Sequence, residues 1–367
     1  MTTSRAFNFS AGPCTLPTPV LERLADELPD YQGTGTGVVE MSHRSKPVVA
    51  LFDRAHALVR ELLAVPDSHE VVFVAGGATF QFGMVPLNFL GPDQHADYCH
   101  CGAWSKKAIA DAKQCGNVNL VFDGSPDFMS LPDPASVQAT PDAKYLHLCS
   151  NETIGGVQWK SFPTANSLGA DVPIIADMSS DILSRPLDLA NFGLIYAGAQ
   201  KNIGPAGATL LIIRKDLLDR PAPRPLTNYL TYANHVKGES MLNTPPVFSV
   251  YAMVYVLEWL RDQGGVAWAQ KQADLKSSLI YDAIAAAPGF YTCPVDPNFR
   301  STMNVVFTLP SDDLTDAFVK GATAQNMPGL KGHRSVGGAR ASLYNAMPLE
   351  GAQALAQYMA DFATKHG

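Results

Sequence analysis

The chain has 367 residues, 46% of them hydrophobic, and carries 27 Lys+Arg against 34 Asp+Glu for a net charge of −7. This composition can bury a substantial core, which excludes a disordered tail, and the length favours two domains or one large and one small. The acidic balance excludes a non-specific nucleic-acid binder, so any anionic ligand has to be held by a local cluster of basic groups.

Taken in chain order, the first strong signal is a helix opening at Pro47, in which Val49, Phe52, His56, Val59 and Leu63 recur at helical spacing. Between about residues 45 and 215, short apolar runs then alternate with longer amphipathic segments. The runs are VVFVA (71–75), VNLVF (118–122), YLHLC (145–149), VPIIA (172–176), LIYA (194–197) and TLLII (209–213). They are continuous rather than alternating, which predicts strands buried on both faces, hence an α/β fold whose mainly parallel sheet is flanked by helices. A helix over 247–261 is followed, past Gly264 and Gly265, by a charged amphipathic helix to about 287. The rest reads strand (302–308), helix (312–325), Gly-rich turn, strand (341–344) and helix (349–364), a smaller C-terminal α+β unit. The six cysteines are scattered without the density of a disulfide scaffold and predict free thiols. No secretory signal is visible, and the longest apolar stretch is too short for a bilayer, so a cytoplasmic protein without membrane contact is expected.

In an open parallel sheet, ligands bind outside the carboxyl ends of the strands. Here VVFVA runs into Gly76-Gly77-Ala78-Thr79, YLHLC into Ser150-Asn151-Glu152-Thr153, VPIIA into Asp177, and LIYAGA into Gln200-Lys201-Asn202. The glycine turn before a helix suits an anion, because small residues let the backbone approach and free N–H groups point at a phosphate. On its own it is equally a tight strand-to-helix turn, and it has neither Walker nor GxGxxG spacing. Lys201 emerges among residues almost without side chains. A lysine in a partly desolvated pocket has a lowered pKa and can form a Schiff base with an aldehyde. Asp177, at the end of what reads as an adjacent strand, is the second group that pyridoxal phosphate requires, an acid facing its pyridine nitrogen. Trp104 follows a short extended stretch and could stack on a flat ring, although a core tryptophan is the usual role. Cys99-His100-Cys101 has no CxxC or HxxxH elsewhere to complete four ligands, so no metal is expected.

Longer motifs carry a resemblance. FNFSAGPCTLP at the start, MSHRSK (41–46), ADYCHCGAWS (96–105), SNETIGG (150–156), ADMSSDILSRP (176–186), YAGAQKNIGPAG (196–207), MLNTPP (241–246) and LKGHRSVGGARASLYNAMPLEG (330–351) resemble, nearly end to end, the phosphoserine aminotransferase family of class V, fold-type I pyridoxal phosphate enzymes. The resemblance implies a large domain (16–262) and a small one (1–15 with 263–367). It implies that Lys201 binds the cofactor covalently and moves the substrate proton, that Asp177 pairs with the ring nitrogen, that Trp104 stacks on the ring and that Thr153 bonds its 3′-oxygen. Ala78, Thr79 and Gln200 would serve the phosphate. Asn243 and Thr244 would complete that cup from a neighbouring subunit, which makes the active unit a homodimer. Where some relatives have Gly-Arg this chain has Ala78-Thr79, so a charged donor is missing. His43, Arg44, His333, Arg334 and Arg340 match positions that bind substrate anions, and a guanidinium suits both carboxylate and phosphate. The implied reaction is reversible, ping-pong transfer of an amino group from L-glutamate to 3-phosphohydroxypyruvate, giving O-phospho-L-serine and 2-oxoglutarate in serine biosynthesis. The family is also associated with the equivalent step of pyridoxine biosynthesis. The rival readings are another class V aminotransferase acting on unphosphorylated serine, alanine or glyoxylate, and a noncatalytic phosphate-ligand-binding module.

Overall fold

The strands of the central sheet are apolar along their whole length because both of its faces are covered. In the computed structural model, which describes residues 5–169 and 171–367, seven strands form this sheet: β1 (His69–Ala75), β2 (His95–His100), β3 (Asn117–Asp123), β4 (Leu146–Cys149), β5 (Ile174–Asp177), β6 (Phe192–Gly198) and β7 (Ala208–Arg214). Their order is β1-β7-β6-β5-β4-β2-β3. All pairings are parallel except those of β7, which runs antiparallel to both β1 and β6. In β1, Val71 and Phe73 join the core beneath the helices Lys46–Leu63 and Val247–Gln263, while Val72 and Val74 face the helices Gly77–Phe89 and Ala103–Ala112. The period of two therefore persists, but both sets of side chains meet a hydrophobic layer.

Two strands depart from the sequence expectation. The 118–122 run forms β3, yet it is not buried on both faces: Leu120 is 43% exposed, because β3 is an edge strand paired only with β2. β2 is central in the sheet but reads as polar. Its Asp97 is fully buried and accepts hydrogen bonds from the Thr140 N–H (2.6 Å) and from Asn119 (3.4 Å), which offsets the cost of burying a carboxylate.

The helix at Pro47 forms over Lys46–Leu63 with proline in its first turn, and it ends where Ala64 turns left-handed. Val48, Leu51, Phe52, Ala55, Leu58, Val59, Leu62 and Leu63 make its buried stripe. Truncating Phe52 to alanine would cost about 3–5 kcal/mol. Val49 lies outside the stripe and is exposed, and His56 is half-buried, bonded to Ser240 Oγ at 2.9 Å.

Past Gly264, whose φ of 113° breaks the helix, the chain enters a second unit with its own core. Here β8 (Asn304–Phe307) and β9 (Ala339–Ser342) pair antiparallel and pack with the helices Gly265–Ala286, Asp312–Ala324 and Leu349–His366. The N-terminal segment joins this unit. Phe9 is fully buried in its core, and the Phe7 and Phe9 N–H groups donate to Asn326 O and Pro328 O. Among the described residues, no helix is long and apolar enough to cross a membrane.

Candidate active site

Strand register brings the chemistry together. Cys149, Asp177 and Tyr196 are paired across β4, β5 and β6, so the segments leaving these strands emerge side by side at one sheet edge. Asp177 ends β5, and Lys201 follows β6 by three residues. Both line one cavity of about 330 Å³. The cavity also receives Gly77, Ala78 and Thr79 from the turn after β1, Trp104 from the helix after β2, Thr153 from the turn after β4, and Gln200 beside the lysine. His333 and Arg340 reach it from the C-terminal unit, and Gly12 closes it from the N-terminal segment. At Gly12, with φ +140°, a Cβ would come within 3.2 Å of Lys201 Cγ, so the close approach of this segment depends on glycine.

Lys201 Nζ donates to Thr153 Oγ1 at 2.6 Å and lies 5.6 Å from the centroid of the Trp104 ring. Burial holds its pKa below that of an ordinary lysine, although Asp177, Cys149 and Glu152 pull the other way. Asp177 is 6% exposed, and burial raises its pKa against the opposing pull of Lys201. Its Oδ1 accepts the Ser179 N–H at 2.9 Å, and Ser179 Oγ in turn accepts the Gly198 N–H at 3.0 Å, which ties the carboxylate to the end of β6. The first turn of the helix Gly77–Phe89 presents N–H groups without intrahelical partners. Around the mouth, His333 is held below its usual pKa by desolvation and by Arg340, Arg334 and Lys107. That is a basic rim on an acidic chain. Arg340 Nη1 donates to Thr153 O at 3.1 Å, while its buried Nε has no partner among the described residues, a donor left for a ligand.

Nine of the residues singled out in the sequence thus meet in one place: Ala78, Thr79, Trp104, Thr153, Asp177, Gln200, Lys201, His333 and Arg340. The others do not. His43 and Thr244 line a separate open cavity of about 650 Å³ with Phe248, and Arg44, Asn243 and Thr244 are exposed. Arg334 is exposed in the loop beside His333. Sequence reasoning passed over Ser179, Glu152, Gly12 and Lys107. The last lies 4.3 Å over the Trp104 ring, three residues along the same helix, a spacing that was available as a signal.

Residues 6–355 match the aminotransferase class-V family. The chain therefore belongs to the class-V aminotransferases. Within that family it is 48% identical over 366 residues to the phosphoserine aminotransferase of Nitrosomonas europaea, covering 99% of both chains. The solved phosphoserine aminotransferase of Bacillus circulans subsp. alkalophilus superposes with a TM-score of 0.96 at 47% identity, with 100% of both chains covered. The pyridoxal phosphate-bound phosphoserine aminotransferase of Trichomonas vaginalis gives 0.90 at 38% identity, covering 97% of this chain and 99% of that one.

Proposed function

We propose that the protein transfers the amino group of L-glutamate to 3-phosphohydroxypyruvate, forming O-phospho-L-serine and 2-oxoglutarate, with pyridoxal phosphate as its cofactor. The observation that carries this reading is the shared cavity of Lys201 and Asp177, an amine and an acid delivered by neighbouring strand ends with an indole and a helix start around them. The residues fit the cofactor. Lys201 would be the covalent anchor, Asp177 would accept from the ring N–H, Trp104 would stack on the ring, and Thr153 would bond its hydroxyl oxygen. The N–H groups at Ala78 and Thr79, the Thr79 hydroxyl and Gln200 would receive the phosphate. When bound, pyridoxal phosphate supplies an aldehyde and an electron-withdrawing ring that delocalises the electron pair left by a departing α-proton.

The chain's own residues do the rest. Lys201, freed from its anchoring role, would take the proton from the substrate's α-carbon and return one in the second half-reaction, and burial, by lowering its pKa, makes the amine easier to use as a base. Thr153 Oγ1 holds the amine in position. Arg340, whose Nε is free, is placed to bind the substrate carboxylate, and the rim of His333, Arg334 and Lys107 attracts the second anionic group, whether γ-carboxylate or phosphate. His43 and Thr244 line a second, open cavity, and their exposed chain neighbours Arg44 and Asn243 likewise lie outside the chain's own active-site cavity. In our reading they complete the site of a second copy, in a homodimer whose large domain is 16–262 and whose small domain is 1–15 with 263–367. A coupled assay comparing 3-phosphohydroxypyruvate with plain hydroxypyruvate tests the substrate. At least a hundredfold preference in kcat/KM for the phosphorylated acid is expected, and equal use would replace this reading with a class V enzyme for unphosphorylated substrates.

A further inference from the structure

Glu152 is fully buried one residue before Thr153, and it carries none of the roles described above. Its Oε2 accepts the Trp104 N–H at 3.0 Å, in the first turn of the helix Ala103–Ala112, and its Oε1 accepts the Ile154 N–H at 3.1 Å. A carboxylate at a helix N-terminus meets an unsatisfied N–H and the positive end of the dipole together. The fit is close: a Cβ on Gly102 would lie 2.5 Å from Glu152 Cγ. The Glu152 backbone is fixed too, its N–H donating to Val157 O and its carbonyl accepting from the Gly156 N–H.

The next residue turns this local brace into something larger. Thr153 takes the Lys201 amine on its hydroxyl and the Arg340 guanidinium on its carbonyl. One three-residue turn therefore sets the indole, the amine and the C-terminal unit's arginine relative to each other. Glu152 and Asp177 lie within electrostatic reach of Lys201, and Glu152 of Arg340. Burial nevertheless raises the Glu152 pKa to about 7.

We propose that Glu152 is a positioning residue: its carboxylate clamps the start of the Trp104 helix to the Thr153 turn and so holds the indole at the correct height over the cofactor ring. This rests on the pyridoxal phosphate reading for its functional consequence, but the clamp itself can be tested without the cofactor. In Glu152→Gln one of the two N–H groups loses its acceptor, since the amide offers a single carbonyl oxygen. Amide hydrogen exchange of the apoprotein should show whichever of the Trp104 and Ile154 N–H groups the amide leaves unpaired exchanging at least ten times faster in Glu152→Gln than in wild type, with the C-terminal unit unchanged. The Kd for pyridoxal phosphate, by equilibrium dialysis, should rise about tenfold. If Glu152 acts through the indole, Glu152→Gln adds less than twofold to the Kd of a Trp104→Ala variant, because the two changes then share one pathway. Unchanged exchange at both Trp104 and Ile154 would overturn the proposal. So would a tenfold loss that persists in the Trp104→Ala background. Should Glu152→Gln fail to fold, the same readings are made on Gly102→Ala, which pushes directly on the carboxylate. A wild-type protein that binds no pyridoxal phosphate would sink the functional reading while the exchange experiment still decides the clamp.

Discussion

The cavity floor and the surface bearing His43, Arg44, Asn243 and Thr244 carry the same kinds of polar group in opposite states. On the floor, Asp177 and Thr153 are buried, and Lys201 is bonded through Thr153 to a turn that is itself braced. On the surface, the Asn243 side chain donates to the carbonyl of its neighbour Thr244, at 3.1 Å, and Arg44, Asn243 and Thr244 are exposed. The floor is preorganised by the strand register of one chain. The surface has chemistry but little enclosure; in the proposed homodimer a second copy would cover it.

The largest effect separates the two regions most sharply. Lys201→Ala removes both the covalent anchor and the proton carrier, and transamination should fall by about 10⁴-fold or more with the melting temperature nearly unchanged. Asp177→Asn keeps the hydrogen bond to Ser179 but gives up the charge, so kcat should fall by about 10²–10³-fold, in the range of losing one preorganised electrostatic contact at a buried position. Asn243→Ala acts on the outer region and should raise the cofactor Kd only about tenfold, the worth of one charge-assisted hydrogen bond. Mixing Lys201→Ala and Asn243→Ala subunits under exchange conditions sharpens the contrast. Under the proposed dimer each hybrid holds one site with both residues intact, so at a cofactor concentration well below the Asn243→Ala Kd the hybrids should be more active than Asn243→Ala alone; no gain there would put Asn243 in its own chain's site.

The smallest effect concerns the sheet beneath the floor. His147, 2% exposed, is bonded to Tyr196 Oη at 2.8 Å, and desolvation lowers its pKa from 6.5 to about 3. The folded state keeps it neutral, whereas the unfolded chain binds a proton below about pH 6.5. Its contribution to stability is therefore intact above that pH and is lost as pH falls toward 3. Between pH 7 and 5, wild type should lose about 2 kcal/mol more than His147→Gln in denaturant titrations; equal losses would show that His147 is not held neutral.

Much of this was legible in the sequence where burial forces composition. Both-sided burial makes β1 and β4 to β7 continuous apolar runs, and the polar residues that interrupt them at one end are the cavity floor. Strand direction was not legible: β7 reads like its neighbours, because an antiparallel strand covered on both faces needs the same side chains. β2 reads only as a short extended stretch before Trp104 and not among the apolar runs, because its Asp97 is made tolerable by partners distant in sequence, Asn119 and Thr140. The roles of Asn243 and Thr244 came only from resemblance, since neither residue touches the chemistry of its own chain. Glu152 lay in plain view within SNETIGG, but only the fold brings the Trp104 N–H to it.

The central claim is that a single amine, Lys201, holds the cofactor. The chain offers a real competitor in Lys276, which is 1% exposed, has its pKa lowered to about 7 by burial, and donates to the carbonyls of Tyr344 and Met347. Borohydride reduction of the pyridoxal phosphate-loaded protein, followed by peptide mapping, distinguishes them. One label on the peptide containing Lys201, with loss of the yellow absorbance, is the predicted result; a label on Lys276, or no label at all, would contradict the account.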